Sequence, residues 1–405
     1  MAQPSLLENF RIEEHRGLAS LESVQPLWVQ WQTHPNADFD FFTTVVKSRT
    51  NVVDPVVLVI YKNDIPLALA AGRLEKVPLP ISFGYLKVSN FDILQLTIIY
   101  GGLMGVWDEP GAAVFIRHLR RMTRQKHIDA VYCEAMRDDQ PVYTAANRIV
   151  PFYLRDSVLK NNLHWWSDLP ASYDAFLKKI NSKHRAQLRS KERKLAEYGG
   201  GTVQTKIFNT PEEAPLFSAI AEKIARTTYL RGLGEGFSNS DEMRNRLDLA
   251  ARKGWMRGYV LYAHEQPCAF WLGTLYNDVF YLEYTGFDST FKDFAAGQIL
   301  FIKMIEHLCI TGGIRGIDFG FGDAVYKQRY GDRNWEESDL YLFAAAPGML
   351  LANTMRKSAA LLRRTAEKAL QRFDLLKMIK KQWRIAAEKT AHGCNNNGAA
   401  DNQPE

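Results

Sequence analysis

Bulky and small or polar residues alternate at positions 281–287, and this period of two predicts a half-buried β-strand. After Ala295-Ala296-Gly297 the apolar positions leave few polar gaps, which predicts a largely buried helix. Thr311-Gly312-Gly313 ends that helix, and positions 314–319 predict a second strand. The turn before the helix leaves several backbone N–H groups unpaired at the positive end of the helix dipole. Such a turn suits a phosphate or pyrophosphate group.

Polar side chains crowd the end of the second predicted strand. They are Asp318, Asp323, Tyr326, Lys327, Arg329 and Tyr330. Open α/β sheets place ligands at the carboxyl ends of their strands, so this position favours a ligand site. Gly297 alone forms neither a G-x-G-x-x-G nor a P-loop pattern, and many α/β proteins have such a turn without binding anything there.

Short motifs in this region resemble the GNAT-type acetyltransferase domain that is common near bacterial exopolysaccharide and cellulose synthesis genes. They are Gly297-Gln298-Ile299-Leu300, Ile317-Asp318-Phe319, Gly322-Asp323 and Tyr326-Lys327-x-x-Tyr330-Gly331. The domain is related to the Fem-type aminoacyl transferases, which also carry an aromatic-Lys-x-x-aromatic-Gly segment. The resemblance extends over residues 152–345. At the helix start, the usual Gln/Arg-x-x-Gly-x-Gly/Ala loop is reduced to Phe294-Ala295-Ala296-Gly297-Gln298.

The resemblance implies transfer of an acyl group from a CoA thioester, acetyl-CoA or another acyl-CoA, to an amine or hydroxyl. The donor's pyrophosphate is expected at the helix start. The residues expected to bind it are Ala295, Ala296, Gly297, Gln298 and Ile299. Backbone N–H groups of the strand at 281–287 are expected to polarise the thioester carbonyl.

Four side chains are candidates for the proton transfers of that reaction. Asp323 or Glu283 is the expected general base, a carboxylate whose pKa burial would raise toward neutrality. Tyr326 is expected to reprotonate the leaving thiolate. Lys327 is expected to hold an acceptor phosphate or the developing oxyanion.

Asp318, Arg329 and Tyr330 are the candidate substrate-binding residues, and Asp318 is expected to orient its neighbours. In the alternative, each carboxylate of the region is only a structural partner of Arg315, Lys327 or Arg329.

A hairpin pattern occurs twice in the chain at one constant offset. Tyr61, Asp64, Pro66, Ala68 and Gly72 correspond to Tyr262, Glu265, Pro267, Ala269 and Gly273. In both places a glycine-containing turn, a helix and a strand follow in the same order, which predicts two copies of one α/β unit. The resemblance agrees, because Fem-type transferases are tandem GNAT-like domains. The predicted fold class is α/β, with two tandem GNAT-like mixed-sheet domains plus C-terminal helices.

The predicted domains are a first GNAT-like domain at 1–165, a basic helical linker at 166–201, a catalytic GNAT-like domain at 202–346, basic amphipathic helices at 347–389 and a disordered tail at 390–405. The first copy carries Asp108 and Glu109 at its helix start, where acidic side chains stabilise a helix but repel a phosphate. We therefore expect the first copy to be structural or to serve the acceptor, and only the second to hold the donor.

Composition favours a cytoplasmic enzyme with an anionic substrate. The net charge is +6, which mildly favours a nucleotide-bearing cofactor, a sugar nucleotide, a lipid headgroup or RNA. The cysteines and histidines are dispersed, so we expect buried free thiols and no metal, and no DNA partner is expected. Neither a signal peptide nor a stretch of 18 apolar residues is evident.

Two basic segments each have two possible interpretations, with different partners. Residues 172–201 predict a basic helix, which is either a solvated face or a helix beside the acceptor channel. Residues 355–389 predict basic amphipathic helices that either pack on their own domain or lie on the inner face of an anionic membrane.

Three functions therefore compete. The first is an acyl-CoA-dependent acyltransferase for a cell-envelope, polysaccharide-precursor or small polar acceptor. The second is a Fem-type transferase that uses charged tRNA, whose RNA the basic helix would meet. The third is a non-catalytic module that binds an anionic polymer or membrane.

Overall fold

A computed structural model describes residues 9–83, 86–125, 128–156, 161–228, 231 and 236–372. Its strands are β1 (Phe10–Arg16), β2 (Val52–Lys62), β3 (Ile65–Phe83), β4 (Leu86–Gly105), β5 (Ala130–Arg137), β6 (Arg155–Asp156), β7 (Asn161–Asp168), β8 (Val203–Phe208), β9 (Met256–Ala263), β10 (Gln266–Tyr276), β11 (Val279–Phe287), β12 (Gly316–Phe321) and β13 (Arg333–Phe343).

Its helices are α1 (Leu18–Leu21), α2 (Gln25–Trp31), α3 (Phe39–Ser48), α4 (Glu109–Gln125), α5 (Pro141–Ile149), α6 (Tyr173–Lys179), α7 (Ser182–Tyr198), α8 (Ala214–Ala225), α9 (Asp241–Arg252), α10 (Ala296–Thr311), α11 (Val325–Tyr330) and α12 (Pro347–Arg372). Short 3-10 turns lie at Glu22–Val24, Pro35–Ala37, Phe152–Leu154 and Ser289–Phe294.

The chain folds into two compact units. Unit 1 combines Met1–His164 with Trp335–Ala369, and unit 2 combines Trp165–Asn334 with Leu370–Glu405. This division differs from the predicted domains, because residues 335–346 belong to unit 1 and the expected linker at 166–201 belongs to unit 2. The predicted tail at 390–405, and the helices beyond Arg372, lie outside the described residues.

Unit 1 has a mixed sheet in the order β1-β2-β3-β4-β5-β13, with β6 also paired to β13. One face packs against α4 and α5 around Phe115, Ile116 and Leu119. The other face is covered near β2 and β3 by α1 to α3, around Trp28 and Phe42. Both faces of this sheet are therefore buried, as the continuous apolar run of β2 requires.

Unit 2 has a sheet in the order β7-β12-β11-β10-β9-β8. The apolar positions of α10, from Ile299 to Leu308, fill the core on one face, together with α6 and α7. On the other face, α8 and α9 pack around Phe217 and Phe237. The buried helix predicted after Gly297 is confirmed.

The predicted repeat is confirmed in the topology. In unit 1, β4 and β5 are parallel neighbours joined through α4, and in unit 2, β11 and β12 are parallel neighbours joined through α10. The observed strands, 279–287 and 316–321, agree with the predicted 281–287 and 314–319 to within two residues. Among the described residues, no helix is long and apolar enough to cross a bilayer.

Candidate active site

The parallel strands β11 and β12 part soon after they meet. Their pairing runs only from Val279 opposite Gly316 to Tyr281 opposite Asp318, although both strands continue beyond these residues. On its other side, β11 has a β-bulge at Glu283, where the register with β10 skips one residue. A bulge bends its strand and increases the local twist. The bulge lies beyond Tyr281, the last residue of β11 that pairs with β12.

The turn before α10 is held in a left-handed conformation. Ala295, the residue before the helix, has φ 57° and ψ 37°, a region that side chains other than glycine rarely adopt. Within the described chain, no side chain caps this helix start and its first turn carries no acidic residue. A Cβ added at Gly297 would make an ordinary contact with Phe287 at 3.8 Å, so a small side chain fits at this position. The side chains of Ala296 and Ile299 are buried in the core, so these residues have only main-chain atoms to offer.

The corresponding start of α4 in unit 1 is closed. Asp108 accepts a hydrogen bond from the Gly111 N–H at 2.7 Å, and Lys62 pairs with the same carboxylate at 3.0 Å. A Cβ added at Gly111 would lie 2.8 Å from the Asp108 carboxylate. The acidic group expected to repel a phosphate therefore occupies the helix start itself.

Lys327 is the most unusual charged group of the candidate site. It lies on α11 with 6% of its surface exposed, and its ammonium donates to the carbonyl of Phe321. Burial lowers the pKa of Lys327 to about 8, although the nearby Asp318 opposes the shift. Asp318 in turn accepts from the Gly320 N–H at 2.7 Å, which fixes its carboxylate at the point where β11 and β12 part. The orienting role expected of Asp318 is consistent with this contact.

The two carboxylates proposed as general bases differ in their surroundings. Asp323 is exposed and accepts from the side-chain amide of Gln328 at 2.7 Å, so the expected burial of Asp323 is wrong. Glu283 is partly buried at the bulge, pairs with Arg246 at 3.0 Å and accepts from the hydroxyl of Thr274. Arg246 was not predicted, because it comes from α9, 37 residues before Glu283 in the chain.

Tyr326 packs beside the start of α10. Trp271 connects the two, because its indole N–H donates to the carbonyl of Gly297 at 3.0 Å and its ring meets Tyr326 edge-on at 5.2 Å. Phe301 and Phe319 also contact the Tyr326 ring. Trp271 was not selected from the sequence, because it stands in an ordinary apolar strand.

A polar chain leads from α7 to the start of α10. His184 lies 3.1 Å from the hydroxyl of Tyr330 and 3.3 Å from the guanidinium of Arg329, and Arg329 donates to the side-chain carbonyl of Gln298 at 3.3 Å. Because a guanidinium has no acceptor, the His184 nitrogen that faces it must be the unprotonated one. Burial lowers the pKa of His184, and the charge of Arg329 adds to this effect. Tyr330 itself is buried and stacks on Phe301.

The structure therefore gathers most of the predicted residues in one region of unit 2. Gln298, Asp318, Tyr326, Lys327, Arg329 and Tyr330 are joined by direct contacts or through Trp271 and His184. Asp323 lies on the surface beside them, and Glu283 lies on the parted part of β11. His184 was missed because it stands within a basic run whose helix was assigned only a general charge.

Comparisons with known proteins agree with this arrangement. Residues 182–328 match the model of the family described as the acetyltransferase (GNAT) domain. The crystal structure of FemX is similar with a TM-score of 0.54 and 10% sequence identity, covering 84% of this chain and 100% of that one. A tandem GNAT protein from the clavulanic acid biosynthesis pathway is similar with a TM-score of 0.50 and 9% identity, covering 83% and 99%. The search of curated proteins found no match.

The two structural comparisons establish the fold alone, because the identities are so low. They confirm the predicted class of tandem GNAT-like domains. The family match covers α7 to α11 and so includes the parted strands, the start of α10 and Lys327. Residues 182–328 thus form a GNAT acetyltransferase domain, and this match supports an acyltransferase activity.

Proposed function

We propose that unit 2 transfers an acyl group, acetyl in the first instance, from a CoA thioester to an amine or hydroxyl of a polar acceptor. The acceptor class that we favour is a cell-envelope or polysaccharide precursor. The proposal depends chiefly on one observation: β11 parts from β12 after Tyr281, and its last residue, Phe287, lies beside Gly297 in the uncapped first turn of α10. GNAT domains take their acyl group from CoA, and a CoA donor implies action in the cytoplasm.

The residues at the α10 start fit a pyrophosphate. Main-chain N–H groups of Ala296 and Gly297 are the donors that a helix leaves without partners in its first turn, whereas the Gln298 N–H donates to the Ala295 carbonyl at 2.9 Å. The dipole adds a positive potential at this helix start, and Gly297 has no side chain to cover these groups. Arg329, held near Gln298, adds a full positive charge on the same side.

The parted strand and its neighbours would then carry the chemistry. N–H groups of β11 near the bulge at Glu283 would stabilise negative charge on the carbonyl oxygen as the acceptor attacks. The acceptor's proton would pass to a carboxylate, Glu283 or Asp323, as the carbon–sulfur bond breaks. Tyr326 would give a proton to the departing thiolate, and cationic Lys327 would hold the developing oxyanion or an acceptor phosphate.

Glu283 is the better placed of the two carboxylates. It lies on the part of β11 that no longer pairs with β12, whereas Asp323 is exposed and hydrogen-bonded to Gln328. Glu283 is already paired with Arg246, however, so a general-base role requires this ion pair to separate when the acceptor binds.

A groove of about 640 Å³ along α7 and the start of β8 contains Arg189, Arg193 and Glu192. Its two guanidinium groups outnumber its carboxylate, so an anionic acceptor would fit there. The same groove is the observation that favours the second candidate, a Fem-type transferase with charged tRNA as donor.

Donor binding is tested best at Gly297. Gly297→Asp places a carboxylate in the first turn, and we expect acetyl-CoA affinity to fall about tenfold or more. Gly297→Ala is the matched control and should bind as the wild type does, because a Cβ fits there. Calorimetric titration with acetyl-CoA measures both. Equal affinities of the two variants would mean that the donor does not bind at this turn. Transfer from charged tRNA, without any response to acetyl-CoA, would favour the second candidate.

A further inference from the structure

The surface of unit 1 formed by α4, the Phe152–Leu154 turn and α12 exposes apolar and basic side chains together. We propose that this surface, called the docking face below, binds an anionic lipid bilayer. It comprises Arg117, Arg120, Arg121 and Arg124 of α4, Phe152 and Tyr153 of the turn, and Lys357 with the exposed apolar residues of α12.

Large apolar side chains are exposed on this face to an unusual extent. Phe152 is 72% exposed and Tyr153 51%, and their rings meet edge to face at 5.6 Å. On α12, Leu351, Met355 and Leu362 lie along one line of the helix because their spacing is four and seven residues, and Leu351 is 62% exposed. Single exposed apolar residues are ordinary, but a cluster of aromatic and aliphatic groups is typical of an interaction surface.

Direct contacts tie the three elements into one surface. Lys357 of α12 donates to the carbonyl of Phe152, and its ammonium lies 5.6 Å from the centre of that ring. Asn353, one turn earlier, donates to the carbonyl of Tyr153 at 2.8 Å. Arg120 of α4 interacts electrostatically with Tyr153 and donates to the carbonyl of Phe343, shortly before α12.

The charge of the face decides which partner fits. Arg117, Arg120, Arg121 and Arg124 share one side of α4, and no carboxylate among the described residues pairs with Arg117, Arg121 or Arg124. Residues 110–125 and 347–366 contain several arginines or lysines and no acidic residue. Unpaired cations beside exposed aromatic and aliphatic groups match a bilayer with anionic headgroups, where the rings enter the interface and the cations meet phosphates.

The sequence after α12 is also rich in basic and large apolar residues. α12 leads into residues 373–389, which lie outside the described residues and carry Lys377, Lys380, Lys381 and Arg384 beside Phe373 and Trp383. These residues add positive charge and large apolar groups directly after the docking face. A second copy of this chain would instead have to bring two like-charged faces together, which is unfavourable.

Vesicle flotation with the full-length protein tests the proposal. We expect binding to vesicles of phosphatidylcholine and phosphatidylglycerol in equal parts, weak binding to phosphatidylcholine alone, and a loss of binding at high salt. Reversal of a single basic charge, by Arg121→Glu or by Arg124→Glu, should lower the partition coefficient between vesicles and solution roughly fivefold or more. Phe152→Ser with Leu351→Ser should lower it by a similar factor through the apolar contact.

Matched controls come from the same unit. Ile65→Ser removes an equally exposed apolar residue, and Lys47→Glu reverses an exposed charge, both outside the docking face. Unchanged binding of the controls with reduced binding of the docking-face variants supports the proposal. Equal losses in both sets, binding that ignores the anionic lipid, or a dimer in solution that the same substitutions dissociate would overturn it. Because the assay measures binding and not turnover, its outcome is independent of the acyltransfer proposal.

Discussion

At the scale of single residues, Lys327 is a charge that the fold tolerates rather than uses for stability. Its side chain is buried, and its pKa falls from the ordinary 10.5 to about 8 because burial disfavours the ammonium. Below pH 8 this buried charge therefore lowers the free energy of unfolding by its full cost, about 3 kcal/mol. The cost decreases as the pH rises from about 8 to 10.5, where the folded state holds fewer protons than the unfolded chain. Such a residue is typical of a functional site.

Lys327→Met is expected to abolish transfer while raising stability. The free energy of unfolding at pH 7 should rise by about 1 to 2 kcal/mol. Removal of the buried charge stabilises the folded state, and loss of the hydrogen bond to Phe321 offsets part of that effect. The gain should vanish near pH 10.5. Urea unfolding at both pH values, with Lys47→Met as an exposed control, measures this difference. A variant that is less stable than the wild type at pH 7 would show that Lys327 is a structural cation.

His184→Phe is expected to weaken donor binding without slowing the chemical step. Neutral His184 accepts from Arg329 and so holds the guanidinium near Gln298. Loss of that contact should raise the KM for acetyl-CoA about fivefold, with kcat little changed. In the wild type the same KM should rise as the pH falls below the lowered pKa of His184, and the variant should lose that dependence. A decrease in kcat at constant KM would contradict the positioning role.

At the scale of elements, the start of α10 combines an expected helix with an unexpected conformation. The apolar periodicity of 296–311 is local, so the sequence predicts the helix well. The left-handed Ala295 and the bulge at Glu283 were not predicted, because long-range packing and sheet register determine them. The pairing of Glu283 with Arg246 was missed for the same reason. The sequence patterns therefore selected residues that the structure brings together in one region of unit 2, but neither the backbone geometry nor the ion pairs of that region.

Ala295→Gly is expected to stabilise the protein slightly. Glycine removes the Cβ strain of a positive φ, about 1 kcal/mol, but gives the unfolded chain more freedom, so the net gain is about 0.5 kcal/mol. Thermal unfolding measures it, and Gly297→Ala provides a comparison at a position without positive φ. A decrease in stability would mean that the Ala295 side chain makes contacts that outweigh the strain.

At the scale of the whole molecule, two copies of one unit have diverged at their helix starts. The start of α10 is open, whereas Asp108 and Lys62 close the start of α4. The repeat itself was visible in the sequence because the hairpin residues recur at a constant offset. The units could not be delimited from it, because unit 1 takes its last strand from beyond unit 2.

Acetyl-CoA is expected to protect one helix start and leave the other unchanged. In hydrogen exchange, amides at 295–299 and 282–285 should exchange several-fold more slowly with the ligand, and those at 109–113 should not. Gly297→Asp should remove the protection. Slower exchange at 109–113 would show instead that unit 1 also holds a donor.

The discontinuity of unit 1 has a consequence for how the protein is made. Until the ribosome has released residues 335–343, β5 lacks its neighbour β13, and the core of unit 1 lacks Leu340 and Leu342. The first unit to begin synthesis therefore stays incomplete until most of unit 2 has been made, and until then it presents an open sheet edge. A chain that terminates after residue 334 would contain residues 165–334 of unit 2 and still be prone to aggregate.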